Sequence, residues 1–106
     1  MENMRQHSRH IFEEVISVYD AVTGEQLGQL ANISSHGLML ITRTRVEPES
    51  LFRVSFTLPG SDAAMKIGIE SLWLNEALSN NVYWAGFEII DIAESDERML
   101  EQLEKS

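Results

Sequence analysis

Cysteine is absent from this 106-residue chain. That excludes disulfides, thiolate metal sites and cysteine nucleophiles. Positive charge is scarce: 8 Lys and Arg face 17 Asp and Glu, a formal net charge of -9. Binding to DNA or long RNA needs cations that neutralise phosphates, so neither is an expected partner. No apolar run approaches the ~18–20 residues of a membrane-spanning helix, and no membrane span is expected. Residues 1–10 contain no apolar stretch that could act as a signal peptide, which makes the cytoplasm the expected compartment. No repeat, low-complexity segment or linker interrupts the chain, and its length suggests one domain. Hydrophobic residues make up 43% of it, enough to bury a core and to argue against disorder.

The few basic residues are unevenly placed. Arg5 and Arg9 lie among the first ten residues with His7 and His10, opposed only by Glu2. Residues 94–106 carry Glu94, Asp96, Glu97, Glu101 and Glu104 against Arg98 and Lys105. The acidic end reads as a solvated helix face.

Most of the chain reads as short strands. Residues 11–19 are apolar and β-branched, with Glu13–Glu14 breaking the alternation and suggesting a bulge. Thr23-Gly24 is a turn signal, after which 26–33 and 38–43 flank a loop at 34–37. Residues 51–58 place Phe52, Val54, Phe56 and Leu58 on one face and Arg53, Ser55 and Thr57 on the other. Residues 64–74 repeat the pattern with Met65, Ile67, Ile69, Ser71 and Trp73 on one side; a last strand covers 82–92. Beyond Ile92, Met99, Leu100 and Leu103 give the stripe of a short amphipathic helix, with Asp91 or Ser95 as its expected N-cap. Six strands and one terminal helix fit an all-β fold, a small antiparallel barrel or sandwich. A closed sheet would leave no unpaired edge. The first ten residues, polar and ahead of the first strand, are the expected flexible arm, with the domain proper at 11–106.

Two local patterns stand out. Arg5-Gln6-His7-Ser8-Arg9 sets two arginines four apart, and Asn32-Ile33-Ser34-Ser35-His36-Gly37 follows 23 positions after Arg9. Together they resemble the RxxxR and [D/N]xSxxG signature of the PilZ domain family. Gly86-Phe87 in the last strand and the closing helix fit the same outline, so the resemblance covers nearly the whole chain. It implies a six-stranded antiparallel β-barrel of split-barrel type with a C-terminal α-helix. It also implies cyclic di-GMP as ligand, with no cofactor and no catalysis.

The residues suit that ligand. Arginine presents a planar fork of donors to phosphate or to guanine O6 and N7, and it can lie flat on a purine. Asn32 and Ser34 alternate away from Ile33, and amide and hydroxyl can read a guanine edge. Gly37 would permit a positive φ or a close backbone approach. His7, Ser35 and His36 are further candidate contacts by position. Trp73 is either a core or rim tryptophan or a platform for a base. Plainer readings stand beside these: a solvated arginine pair, and Asn32, Ser34 and Gly37 as ordinary turn residues. His7, His10 and His36 are too scattered to suggest a metal site. Ser34 and Ser35 lack a GxSxG elbow or a locally placed base, and Glu13–Glu14 would point to opposite strand faces.

Two positions depart from the pattern. Met4 stands where many members have another Arg, so one cyclic di-GMP per chain is expected rather than two. Asn32 stands where many have Asp, which removes an anionic acceptor for guanine. Only four residues precede Arg5, so no separate N-terminal domain is expected. The expected mechanism is ordering of the arm on ligand binding, with a signal passed to an unidentified partner protein. The expected outputs are motility, biofilm or polysaccharide regulation in a bacterium. The rival is a PilZ-fold adaptor that acts through protein contacts without ligand. A single-stranded nucleic-acid module is favoured only by Trp73, Trp84 and the arginines. A monomer or weak dimer is expected.

Overall fold

The computed structural model describes residues 11–76 and 81–104. Six strands run in chain order: β1 Ser17–Asp20, β2 Gln26–Ile33, β3 Gly37–Thr42, β4 Leu51–Phe56, β5 Met65–Glu76 and β6 Tyr83–Asp91, followed by α1 Glu94–Glu104. All pairings are antiparallel, and the sheet closes in the order β1-β2-β3-β6-β5-β4. The sequence-based barrel, its strand count and its helix are therefore what the chain forms; of barrel and sandwich, the barrel is realised.

Strand alternation builds the interior. Val54 and Phe56 of β4, Ile67 and Ile69 of β5, Leu38 and Leu40 of β3, and Ala85 and Phe87 of β6 face inward and are buried. Phe52 meets Phe87 edge-on with centroids 6.2 Å apart, the geometry that aromatic quadrupoles favour. Leu100 of α1 is fully buried in the same core, with Leu103 and Ile92 packed against it. Met99, placed with that stripe by sequence, is 38% exposed.

Three boundaries differ from the sequence reading, each for a physical reason. First, β1 begins at Ser17, not residue 11, and the chain bends at Glu13–Glu14 instead of bulging within a strand. A strand would send one of those successive carboxylates inward; the bend leaves both in water. Secondly, Asp91 ends β6 and forms an ion pair with Arg53, and Ser95 lies inside the helix. Neither caps α1; its first turn closes on the Ala93 carbonyl, which accepts from Glu97 N at 2.9 Å. Glu94, Asp96 and Glu97 still place negative charge at the positive end of the helix dipole. Thirdly, a register shift between Ser71 and Trp73 leaves Leu72 without a partner on β6. The alternation changes phase there, so Ser71 is buried while Trp73 turns outward.

The 43–50 connection is held from inside the barrel wall. Ser71 Oγ donates to the Glu47 carbonyl at 2.5 Å and accepts from Ser50 N at 2.9 Å. The Ser71 backbone exchanges a further pair of bonds with Glu49 and Ser50, and Glu49 takes a φ of 66° to allow it. Ser71→Ala removes both of these side-chain bonds, while the Glu47 carbonyl keeps its bond from Ser50 Oγ at 2.7 Å. Urea unfolding is expected to show a loss of about 1–3 kcal/mol at an unchanged denaturant slope.

Candidate functional site

Backbone pairing aligns a row of residues across four neighbouring strands. Asn32 of β2 opposes Met39 of β3, Met39 opposes Gly86 of β6, and Gly86 opposes Trp73 of β5. Met39 lies between the inward Leu38 and Leu40, so this row belongs to the outer face. The Trp73 indole lies across Gly86: a Cβ on Gly86 would overlap indole Cε2, Nε1 and Cζ2. A side chain at 86 would therefore displace the ring. Asn32, Met39, Leu72, Trp73 and Gly86 line one hollow of about 150 Å³. Trp73 remains 40% exposed and Asn32 half-buried.

The 34–37 turn joins β2 to β3 one residue pair beyond Asn32 and Met39. Ser34 N donates to the Gly37 carbonyl at 2.8 Å. Ser34 Oγ lies 3.3 Å from both His36 N and Gly37 N and accepts from them. The His36 carbonyl accepts from Ile89 N at 2.9 Å, which ties the turn to β6. The His36 ring is exposed, with Nδ1 3.0 Å from Ser35 Oγ. Ser34 and Ser35 are buried.

Placement of the sequence candidates is thus uneven. Asn32 and Trp73, 41 positions apart in sequence, share one hollow. Ser34 was expected to share Asn32's face; instead its hydroxyl serves the turn backbone, as an ordinary turn residue's would. Gly37 does not take a positive φ; among the described glycines Gly24 and Gly60 do. Gly37 is the first residue of β3, paired with Glu88. Arg5, His7 and Arg9, with the whole arm at 1–10, lie outside the described residues.

Sequence reading missed Gly86 as the seat of an indole, and it missed the carboxylates beside the hollow. An isolated glycine within a strand pattern was the available signal for the first. For the second there was none: Glu88 opposes Gly37 on one side and Glu70 on the other only because β3, β6 and β5 are neighbours. Like charges directly opposed across strands repel. They also make this part of the outer face unwelcoming to an anion unless cations come from elsewhere. Among the described residues, no three His, Asp or Glu side chains gather as a metal site. No described helix is long and apolar enough to cross a membrane.

A six-stranded antiparallel barrel closed by a C-terminal helix, with an Asn-x-Ser-x-x-Gly turn beside an outward aromatic, defines a class of small β-barrel by fold and motif. The chain belongs to the PilZ domain family, whose sequence model matches residues 3–105. Solved structures with the same fold include the inhibitor of motility MotI/DgrA of Bacillus subtilis. It has 17% identity and a TM-score of 0.79 over 98% of this chain and 50% of that one. The PilZ domain of Escherichia coli YcgR with c-di-GMP has 12% identity and a TM-score of 0.70, over 97% of this chain and 90% of that one. MrkH of K. pneumoniae in its apo state has 15% identity and a TM-score of 0.75, over 96% and 50%. The chain therefore spans about half the length of MotI/DgrA and MrkH. No curated protein sequence matches it significantly.

Gly86→Ala should force the indole off β6. In a Trp84→Phe background, the Trp73 emission maximum is expected to shift to the red while far-ultraviolet circular dichroism keeps its strand signal.

Proposed function

We propose that this domain is a cyclic di-GMP receptor module of the cytoplasm, a binding protein and not an enzyme. The observation that carries the reading is the outer hollow that unites Asn32 with the Trp73 indole beside the 34–37 turn. The PilZ domain of YcgR, solved with c-di-GMP, shares this fold and supports the choice of ligand.

In this reading each residue has a distinct task. Trp73 offers a π-face to one guanine. The Asn32 amide, both donor and acceptor, meets the base edge. Ser34 acts indirectly, by holding the His36 and Gly37 amides in place. Arg5 and Arg9 supply the phosphate contacts from the arm at 1–10, because Glu70 and Glu88 leave the neighbouring sheet face negative. His7, Ser35 and His36 are secondary contacts. With Met4 before Arg5, the cationic charge matches the two phosphates of one cyclic di-GMP. The arm closes over the ligand, and the altered surface changes affinity for a regulated protein. MotI/DgrA, which shares the fold, is an inhibitor of motility, and this supports motility as the output in a bacterium. Biofilm and polysaccharide control are companions of the same reading.

Calorimetric titration tests this. One cyclic di-GMP per chain is expected. Arg5→Ala and Arg9→Ala should each weaken binding about 10- to 100-fold, the range of a charge-assisted hydrogen bond. Trp73→Ala should weaken it by roughly 5- to 100-fold, the range of a base-stacking contact. Unchanged affinity in both arginine variants overturns the arm mechanism. Absence of heat with the unaltered chain favours the adaptor that works through protein contacts alone.

A further inference from the structure

A second row crosses the outer face next to the hollow. Gln29 of β2 opposes Ile41 of β3, and Ile41 opposes Trp84 of β6. Two larger depressions meet on this row and share Gln29 and Ile41. One, of about 410 Å³, is walled by Ile11, Val15 and Trp84 and bears Glu13 and Glu14. The other, of about 300 Å³, lies toward the opposite end of the β2–β3 hairpin and is lined by Arg43 and Thr44. Arg45 follows, also exposed.

Apolar exposure is heavy on this face. Ile11 is 74% exposed, Val15 73% and Trp84 37%. Contiguous apolar surface of this kind marks interaction sites. At its ends, no ion pair among the described residues involves Glu13, Glu14, Arg43 or Arg45. The face thus runs from acidic, through apolar, to basic.

We propose that this face is the interface of a two-fold homodimer. A half-turn about an axis through Ile41 and Trp84 lays the acidic end of one copy on the basic end of the other, twice over. The apolar middle meets its own image, as an isologous interface requires. The charge order selects a second copy over other occupants, because a uniformly acidic or basic partner is repelled at one end. Closure of the barrel leaves no strand edge to extend, so contact is through side chains. One sheet face sits at the small end of stable interfaces, about 1,200–2,000 Å², so a weak dimer is expected. None of these end charges lines the Asn32–Trp73 hollow, but the acidic depression shares Asn32 and Met39 with it, so the dimer is tested in nucleotide-free protein.

Sedimentation equilibrium of the full chain from micromolar to millimolar concentration tests it. The unaltered chain should dimerise, and Trp84→Ala should weaken the dimer at least tenfold. Arg43→Glu/Arg45→Glu and Glu13→Lys/Glu14→Lys should each be monomeric where the unaltered chain is dimeric. An equimolar mixture of the two charge-swapped chains should dimerise again, because each then presents what the other lacks. All four positions are exposed, and circular dichroism checks that the barrel persists. A monomer throughout the range, a dimer indifferent to the swaps, or a mixture that stays monomeric overturns the proposal.

Discussion

Closure of the sheet between β1 and β4 is the constraint on which the rest of this domain depends. The seam is short: Tyr19 opposes Ser55 and Asp20 opposes Val54, with Ala21 N donating to the Arg53 carbonyl at 2.7 Å. An Asx turn braces it, since Asp20 Oδ1 accepts from Val22 N at 2.8 Å. Once closed, the cylinder has one small interior and one continuous exterior. The interior takes the apolar side chains of all six strands and Leu100 of the helix. What a ligand or partner could meet is the outer face and the turns.

The outer face is organised by two glycines. Gly68 of β5 stands between Arg53 of β4 and Asp91 of β6, and the Arg53–Asp91 ion pair passes over it. Gly86 of β6 stands between Met39 and Trp73, and the indole passes over it. In both cases a missing side chain lets a long neighbour lie along the sheet. The two arrangements differ in consequence. The ion pair is solvent-exposed and adds little stability. The indole defines the wall of a hollow and remains open to a planar ligand.

Charge works by position on this domain. The net charge of -9 weighs against long nucleic acids, which need many phosphate contacts. It does not weigh equally against a ligand with two phosphates, because exposed charges beyond a Debye length of about 8 Å are largely screened at physiological salt. Much of the acid sits on α1, whose first turn gains from it. Nearer the hollow, Glu70 and Glu88 oppose each other across β5 and β6, and in the proposed receptor reading Arg5 and Arg9 would supply the cations that an anionic ligand needs there.

The sequence by itself determined the strand count, the terminal helix and the family, because period-2 alternation and a two-part motif are local properties. Val54, Phe56, Ile67 and Ile69 were legible as core since each sits in an unbroken alternation. Asn32 and the 34–37 turn were legible because the motif is contiguous. Tertiary structure alone decided which way Trp73 faces. The unpaired Leu72 shifts the phase of β5, and a bulge depends on the partner strand, not on the residues that bulge. It also decided that Ser34 serves its turn, that Asp91 meets Arg53 and that Glu88 faces Glu70. Each of those depends on which strands become neighbours when the sheet closes, and strand order is a property of the whole barrel that no short stretch of sequence contains.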